Sequence, residues 1–158
     1  MNNILSNLKY INISNASNEL TEEKGIYFWY EKKRPDNVVY IGIALGRKGL
    51  RHRIFSQHLN PKYLEFRPSK HNSKDSFQLE NAIYRIGKKG DVRKGIDKSS
   101  FRKAIGRNLL ICSGEDTCSY ITNNLLLKIF ESNDEELLKS LEKELISFYK
   151  PIFNTSFK

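Results

Sequence analysis

Glu142 sits where a carboxylate is hardest to account for. It belongs to EELLKSLEKELISFY (135–149), a stretch with a helical hydrophobic period. On a wheel of about 100° per residue with Leu137 at zero, Phe148, Leu141, Leu145, Leu138 and Tyr149 fall between roughly 20° and 120°. Glu142 follows near about 140° and Ile146 near about 180°, whereas Glu144, at roughly 340°, lies outside the arc. A carboxylate with apolar neighbours on both sides is costly unless it meets a cation, a metal ion or several donors. Two readings stay open: an ion-paired structural glutamate, or a metal ligand. Arg53 and His58 form a second group, on a stretch of helical spacing from Leu50 to Leu59 whose buried side is Leu50, Ile54 and Phe55. His58 falls between Ile54 and Phe55 on a regular wheel and Arg53 on the flank, about 140° away. The third group is a near-repeat, GIY at 25–27 and YIG at 40–42. A hairpin needs aromatic and β-branched residues, but packing alone does not ask for this repetition of glycine and tyrosine.

Other chemistries find no support. No local motif suggests a Ser-His-Asp or Cys-His nucleophile, and glycines 42, 46 and 49 match neither of the glycine-rich phosphate loops. Cys112 and Cys118 are too few for a disulfide framework and wrongly spaced for a zinc knuckle, so buried or idle thiols in a reducing cytosol are expected.

The elements that must position these residues are legible to different degrees. Residues 1–24, rich in Asn and Ser, predict a short helix or strand and then a loop, an N-terminal extension. Ile26–Tyr30 and Val38–Leu45 predict an antiparallel hairpin around the turn-forming residues 32–37. If its register sets Tyr27 and Tyr40 opposite or diagonal, both phenols share one face. Helical patches are expected over Leu50–Leu59, Phe77–Ile86 and Ser100–Leu110, and a strand or strand pair over residues 119–131. The last helix, from about Asp134 to Tyr149, is capped by Ser132 with Glu135, or by Asn133, and stops before Pro151. At 158 residues the chain fits one domain with a core of its own.

Charge is unevenly placed. The chain carries a formal +9, yet residues 60–107 hold 13 basic and 5 acidic side chains while the remaining 110 residues hold 14 and 13. So concentrated an excess suits a polyanion, nucleic acid before membrane, with Lys88, Lys89, Arg93 and Lys94 of GKKGDVRKG as the phosphate contacts. A solvated surface is the competing reading. No basic start followed by an apolar run marks a signal peptide, and no apolar stretch approaches a bilayer span; a cytoplasmic protein is expected.

Taken in order, GIY (25–27), YIG (40–42), LRHR (50–53) and EKELISFYKPIFN (142–154) resemble the GIY-YIG nuclease superfamily. The match anchors both ends of residues 25–154 and leaves the basic middle, about 60–117, outside a minimal family domain. The resemblance implies an α+β fold over 25–158: a small antiparallel sheet with a three-stranded core, flanked by helices and carrying a helical basic insert. It implies a restriction-like or standalone endonuclease cutting DNA in preference to RNA with Mg²⁺ or Mn²⁺, in which binding is left to the insert. Position by position, Glu142 would hold the metal ion against a phosphate oxygen and Arg53 would stabilise the transition state. Tyr27 or Tyr40 would activate the attacking water, and Asn154 would hold the geometry together. A phenol is a poor base unless a cation or metal lowers its pKa, and Arg53, Arg47 and Lys48 are the cations at hand. Two positions depart from the pattern. Ile43 stands where many relatives have lysine, and Gln57 stands where some have histidine, with His58 one residue later on another face of a regular helix. No base-assisting role is therefore expected of His58; His71 is a substitute. The opposing class is a non-catalytic nucleic-acid-binding module on the same fold.

Overall fold

A computed structural model of the chain describes residues 2–69 and 83–154. In order these form α1 (Asn2–Leu5), β1 (Lys9–Ile11), a 3₁₀ turn, α2 (Ala16–Glu19), β2 (Gly25–Glu31), β3 (Arg34–Ala44) and α3 (Gly49–Arg51), which runs straight into a π-helical segment, His52–His58. Then come β4 (Leu64–Pro68), β5 (Tyr84–Ile86), β6 (Val92–Asp97), α4 (Ser100–Leu109), α5 (Glu115–Asn124), β7 (Leu125–Glu131) and α6 (Glu135–Tyr149). The architecture is mixed α+β with two antiparallel sheets, one of four strands in the order β1-β7-β2-β3 and one of three in the order β4-β6-β5. Among the described residues no helix is long and apolar enough to cross a membrane.

The large sheet is buried on both faces, as the run IYFWY on β2 requires: alternate side chains enter two separate cores. Tyr27 and Trp29 join Leu50, Ile54, Phe101 and Ile105 on one face. Ile26, Phe28 and Ile41 join Leu138, Leu141 and Leu145 of α6 on the other. The residues before the hairpin are part of this body, because β1 pairs with β7 and Ile11 and Leu20 are fully buried. β3 is an edge strand, which lets Pro35 lie within it without breaking a ladder.

Several elements differ from their sequence-based expectation. The hairpin turn is shorter than 32–37: the strand resumes at Arg34, with register shifts beside Trp29 and Tyr30. The insert is not helical between Leu64 and Asp97 where it is described; it supplies the second sheet. Tyr84–Ile86 is a strand rather than the end of a helix, and the remainder of that patch, with His71, lies outside the described residues. Residues 115–124 are helical although SYIT is β-prone, since Thr117, Cys118 and Ile121 are buried at helical spacing. Both cysteines are buried free thiols. The cap of α6 is Asp134, whose Oδ1 accepts from Leu137 N at 3.0 Å, while Ser132 Oγ accepts from Asp134 N at 3.2 Å. Phe55 and Phe148, placed inside apolar arcs by the wheel, are 45% and 65% exposed.

Candidate active site

The register of β2 against β3 brings the two tyrosines together. Tyr27 pairs with Gly42 and Trp29 with Tyr40, so the phenols are diagonal neighbours on one face, their ring centroids 6.2 Å apart. Gly42 explains the second half of the repeat. A Cβ built there would lie 2.5 Å from the Tyr27 hydroxyl and 3.0 Å from Tyr40 Cε1. The missing side chain is the space into which Tyr27 projects. Tyr40 is held from behind by Phe101 of α4, stacked at 4.3 Å.

The π-helical segment supplies the next two groups. Leu59 N donates to Ile54 O at 2.9 Å, a five-residue step. Such a turn brings residue i+5 over residue i, so Arg53 and His58 share a side that a regular helix would deny them. His58 is accordingly in the site, against the sequence-based expectation. It is 2% exposed, with Nε2 2.8 Å from the Tyr27 hydroxyl and Nδ1 2.8 Å from Ser99 Oγ. Arg53 is exposed and donates from Nη1 to Gln57 Oε1 at 3.1 Å.

Glu142 arrives from α6, which packs on the opposite core. It meets the other groups at the open edge, in a cleft of about 250 Å³ lined by Tyr27, Tyr40, Gly42, Ile43, Arg53, His58, Ser100 and Glu142. The wheel's distinction holds: Glu142 is half-buried and faces the cleft, and Glu144 is exposed. No described residue hydrogen-bonds the Glu142 carboxylate; burial raises its pKa and the charge of Arg53 opposes that rise. Asn154 does not line the cleft. Its Oδ1 accepts from Ile41 N at 2.9 Å and its Nδ2 donates to Ile41 O at 2.7 Å, clamping the edge strand between Tyr40 and Gly42. It positions the site without touching a reacting group.

Electrostatically the resting cleft keeps its phenols and its imidazole neutral. Burial pushes Tyr40 up to about 12 and Tyr27 well above its ordinary value; Arg53, rather than Arg47 or Lys48, is the cation whose field opposes both rises. Burial, then Arg53 and Arg102, drive His58 down to about 3. This makes the fold acid-sensitive. The folded chain refuses a proton that the unfolded chain accepts below the ordinary value of 6.5, so stability present above 6.5 is lost as pH falls towards 3. The slope from this one residue reaches about 1.4 kcal/mol per pH unit. Urea unfolding at several pH values should show wild type losing stability more steeply than His58→Gln below about pH 6. Parallel curves would show that His58 is not held neutral.

Arg102 braces the site from the insert. Fully buried, it pairs with Asp97 through Nη2 at 2.5 Å, donates to the Tyr63 carbonyl at 2.7 Å and bonds the Asn60 carbonyl. It thus fixes the chain leaving the π-helical segment.

The phosphate-contact residues divide. Lys88 and Lys89 are exposed beside the β5–β6 turn. Arg93 is half-buried and paired with Asp91 at 2.9 Å. Lys94 is only 3% exposed, so it leaves the set of available cations: composition counts its charge but not its direction. Arg85, which the sequence does not single out, joins Lys88, Lys89 and Arg93 around a cavity of about 540 Å³. It stands directly opposite Arg93 in the ladder, with Asp91 as the counter-ion of Arg93 and the Phe66 ring 3.9 Å beneath the Arg85 guanidinium.

Among the described residues no three His, Cys, Asp or Glu side chains cluster as a metal cage. No family model, curated protein or solved structure matches the chain.

Proposed function

We propose that the cleft is the active site of a GIY-YIG-type endonuclease that hydrolyses phosphodiester bonds in DNA. The observation that carries the reading is the convergence, from separate parts of the chain, of Tyr27, Tyr40, Arg53, His58 and Glu142 around one small cleft. A phosphodiester needs charge neutralisation at its oxygens and an oriented water. Arg53 offers an exposed guanidinium for the negative charge of the transition state, and the paired phenols offer oxygens to orient the water. Once one phenol has released its own proton to solvent, the phenolate takes a proton from the water as the water oxygen bonds to phosphorus, and the leaving oxygen departs with the electron pair of its bond and takes up a proton from solvent.

A divalent ion suits Glu142 if the substrate shares it. Mg²⁺ is commonly held by one or two carboxylates, with water and substrate phosphate completing its shell. A carboxylate without a hydrogen-bond partner, facing a cleft, fits that donor set, whereas a resident all-protein site would need more ligands. When bound, the ion would neutralise a phosphate oxygen; Glu142 would fix where that happens. Metal binding to the free protein is therefore weak and tightens with DNA.

The basic hairpin would hold the duplex. Neutralising Arg85, Lys88 and Lys89 should weaken binding of all sequences alike. Each phosphate that is no longer neutralised should lower the slope of log K against log salt by roughly 0.9. An unchanged slope would reduce these cations to solubility. The experiment for the catalytic reading is cleavage of supercoiled plasmid that requires Mg²⁺ or Mn²⁺ and stops with a chelator.

A further inference from the structure

Three side chains run in unbroken hydrogen-bond contact from the insert to the cleft, and a fourth lies beside them. Ser99, the N-cap of α4 and 4% exposed, touches His58; His58 touches Tyr27; and the Tyr40 ring lies beside Tyr27, their centroids 6.2 Å apart. Each contact can be made with either partner donating, so the chain has two directions, and the hydrogen bonds at Ser99 separate them. Ser99 Oγ already accepts the backbone N–H of Arg102 at 3.2 Å. Its own hydrogen needs an acceptor, and among the described residues His58 Nδ1 is the one that its hydroxyl meets. If His58 Nδ1 donated instead, the serine hydrogen would be left buried and unpaired, an outcome that folded proteins avoid.

Once Ser99 donates, the rest follows from the donors and acceptors of each group. His58 Nδ1 is bare, so Nε2 carries the ring hydrogen and donates to the Tyr27 oxygen. Tyr27 then has its own hydrogen to give, and Tyr40 is its neighbour. That hydrogen is therefore turned towards Tyr40 and the cleft. A donor aimed at an oxygen favours negative charge there.

We propose that Ser99 is a positioning residue which orients a one-way hydrogen-bond chain, Ser99 to His58 to Tyr27, and so fixes which way the Tyr27 proton faces, towards Tyr40 and the cleft. The catalytic part rests on the nuclease reading; the direction of the chain does not. On this basis His58 is a donor to Tyr27, not a base that removes a proton from it. The Asp97–Arg102 pair has a role as well, because it anchors the helix that Ser99 caps.

Two readouts test this. In ligand-free, ¹⁵N-labelled protein at neutral pH, the His58 ring should show a protonated Nε2 and a bare Nδ1; the opposite tautomer overturns the proposal. Ser99→Gly removes the hydroxyl while capping the helix almost as well as serine. It should let the ring populate the other tautomer and lower kcat about tenfold at unchanged KM. Ser99→Thr, which restores a hydroxyl, should recover both. A folded Ser99→Gly protein with the wild-type tautomer and wild-type kcat would refute the role of Ser99. If wild type cleaved no DNA at all, the nuclease reading would fall while the imidazole spectrum still decided the direction of the chain.

Discussion

Glu142→Gln should lower metal-dependent cleavage of duplex DNA by about a thousandfold, since the amide keeps the shape of the side chain but not the charge that retains a cation at the phosphate. Folding should be unimpaired or slightly improved. Burial raises the Glu142 pKa, so its surroundings disfavour the ionised carboxylate, and a neutral amide relieves that cost. DNA affinity measured without metal should stay close to wild type. Glu144→Gln is the matched control. Glu144 is exposed and accepts only a long bond from Ser140 Oγ at 3.4 Å. Its cleavage rate should stay within about twofold of wild type. Single-turnover cleavage beside urea unfolding reads both effects. Equal behaviour of the two variants would mean that the carboxylate facing the cleft is not the one that matters.

Gly42→Ala should be the most damaging small substitution in the hairpin. Its methyl would fall 2.5 Å from the Tyr27 hydroxyl, so the ring must shift away from His58 and Tyr40. A displacement of that order costs about a hundredfold in rate, with a stability loss of roughly 1–3 kcal/mol from overpacking. Gly46→Ala supplies the contrast, because a Cβ there meets nothing within 4 Å. If Gly42→Ala cleaved at the wild-type rate, the close fit of Tyr27 against the glycine would have no catalytic meaning.

The parts of the site that can be read from sequence are those governed by simple periodicity. The interrupted apolar arc of α6 separates Glu142 from Glu144 correctly, because α6 is regular and packs on one face. Alternation along β2 and β3 allows both tyrosines to share a face, though only the paired strands show that they are diagonal. A regular wheel misplaces His58 for a definite reason: it assumes a four-residue step, and the π-helical turn from Ile54 to Leu59 takes five. Nothing in HRIFSQH announces that turn. Its support is tertiary, in the bonds of His58 to Tyr27 and Ser99. The second sheet is illegible because β5 is three residues long and exposed at all three, so no burial pattern marks it. Lys94 shows the limit of charge counting, since one lysine of a basic run can point inward. Ser99 is visible in the sequence only as a residue just before a predicted helix. Its bond to a histidine 41 residues away leaves no mark there.

The most direct test is to bind the protein to duplex DNA in metal-free buffer and then add Mg²⁺. Strand scission should begin on addition, be absent with chelator, and be lost in Glu142→Gln although that variant still holds the DNA. A wild-type protein that binds the duplex yet leaves it intact in both Mg²⁺ and Mn²⁺ would contradict the nuclease reading, and would make the chain a binding module whose tyrosines and glutamate do no chemistry.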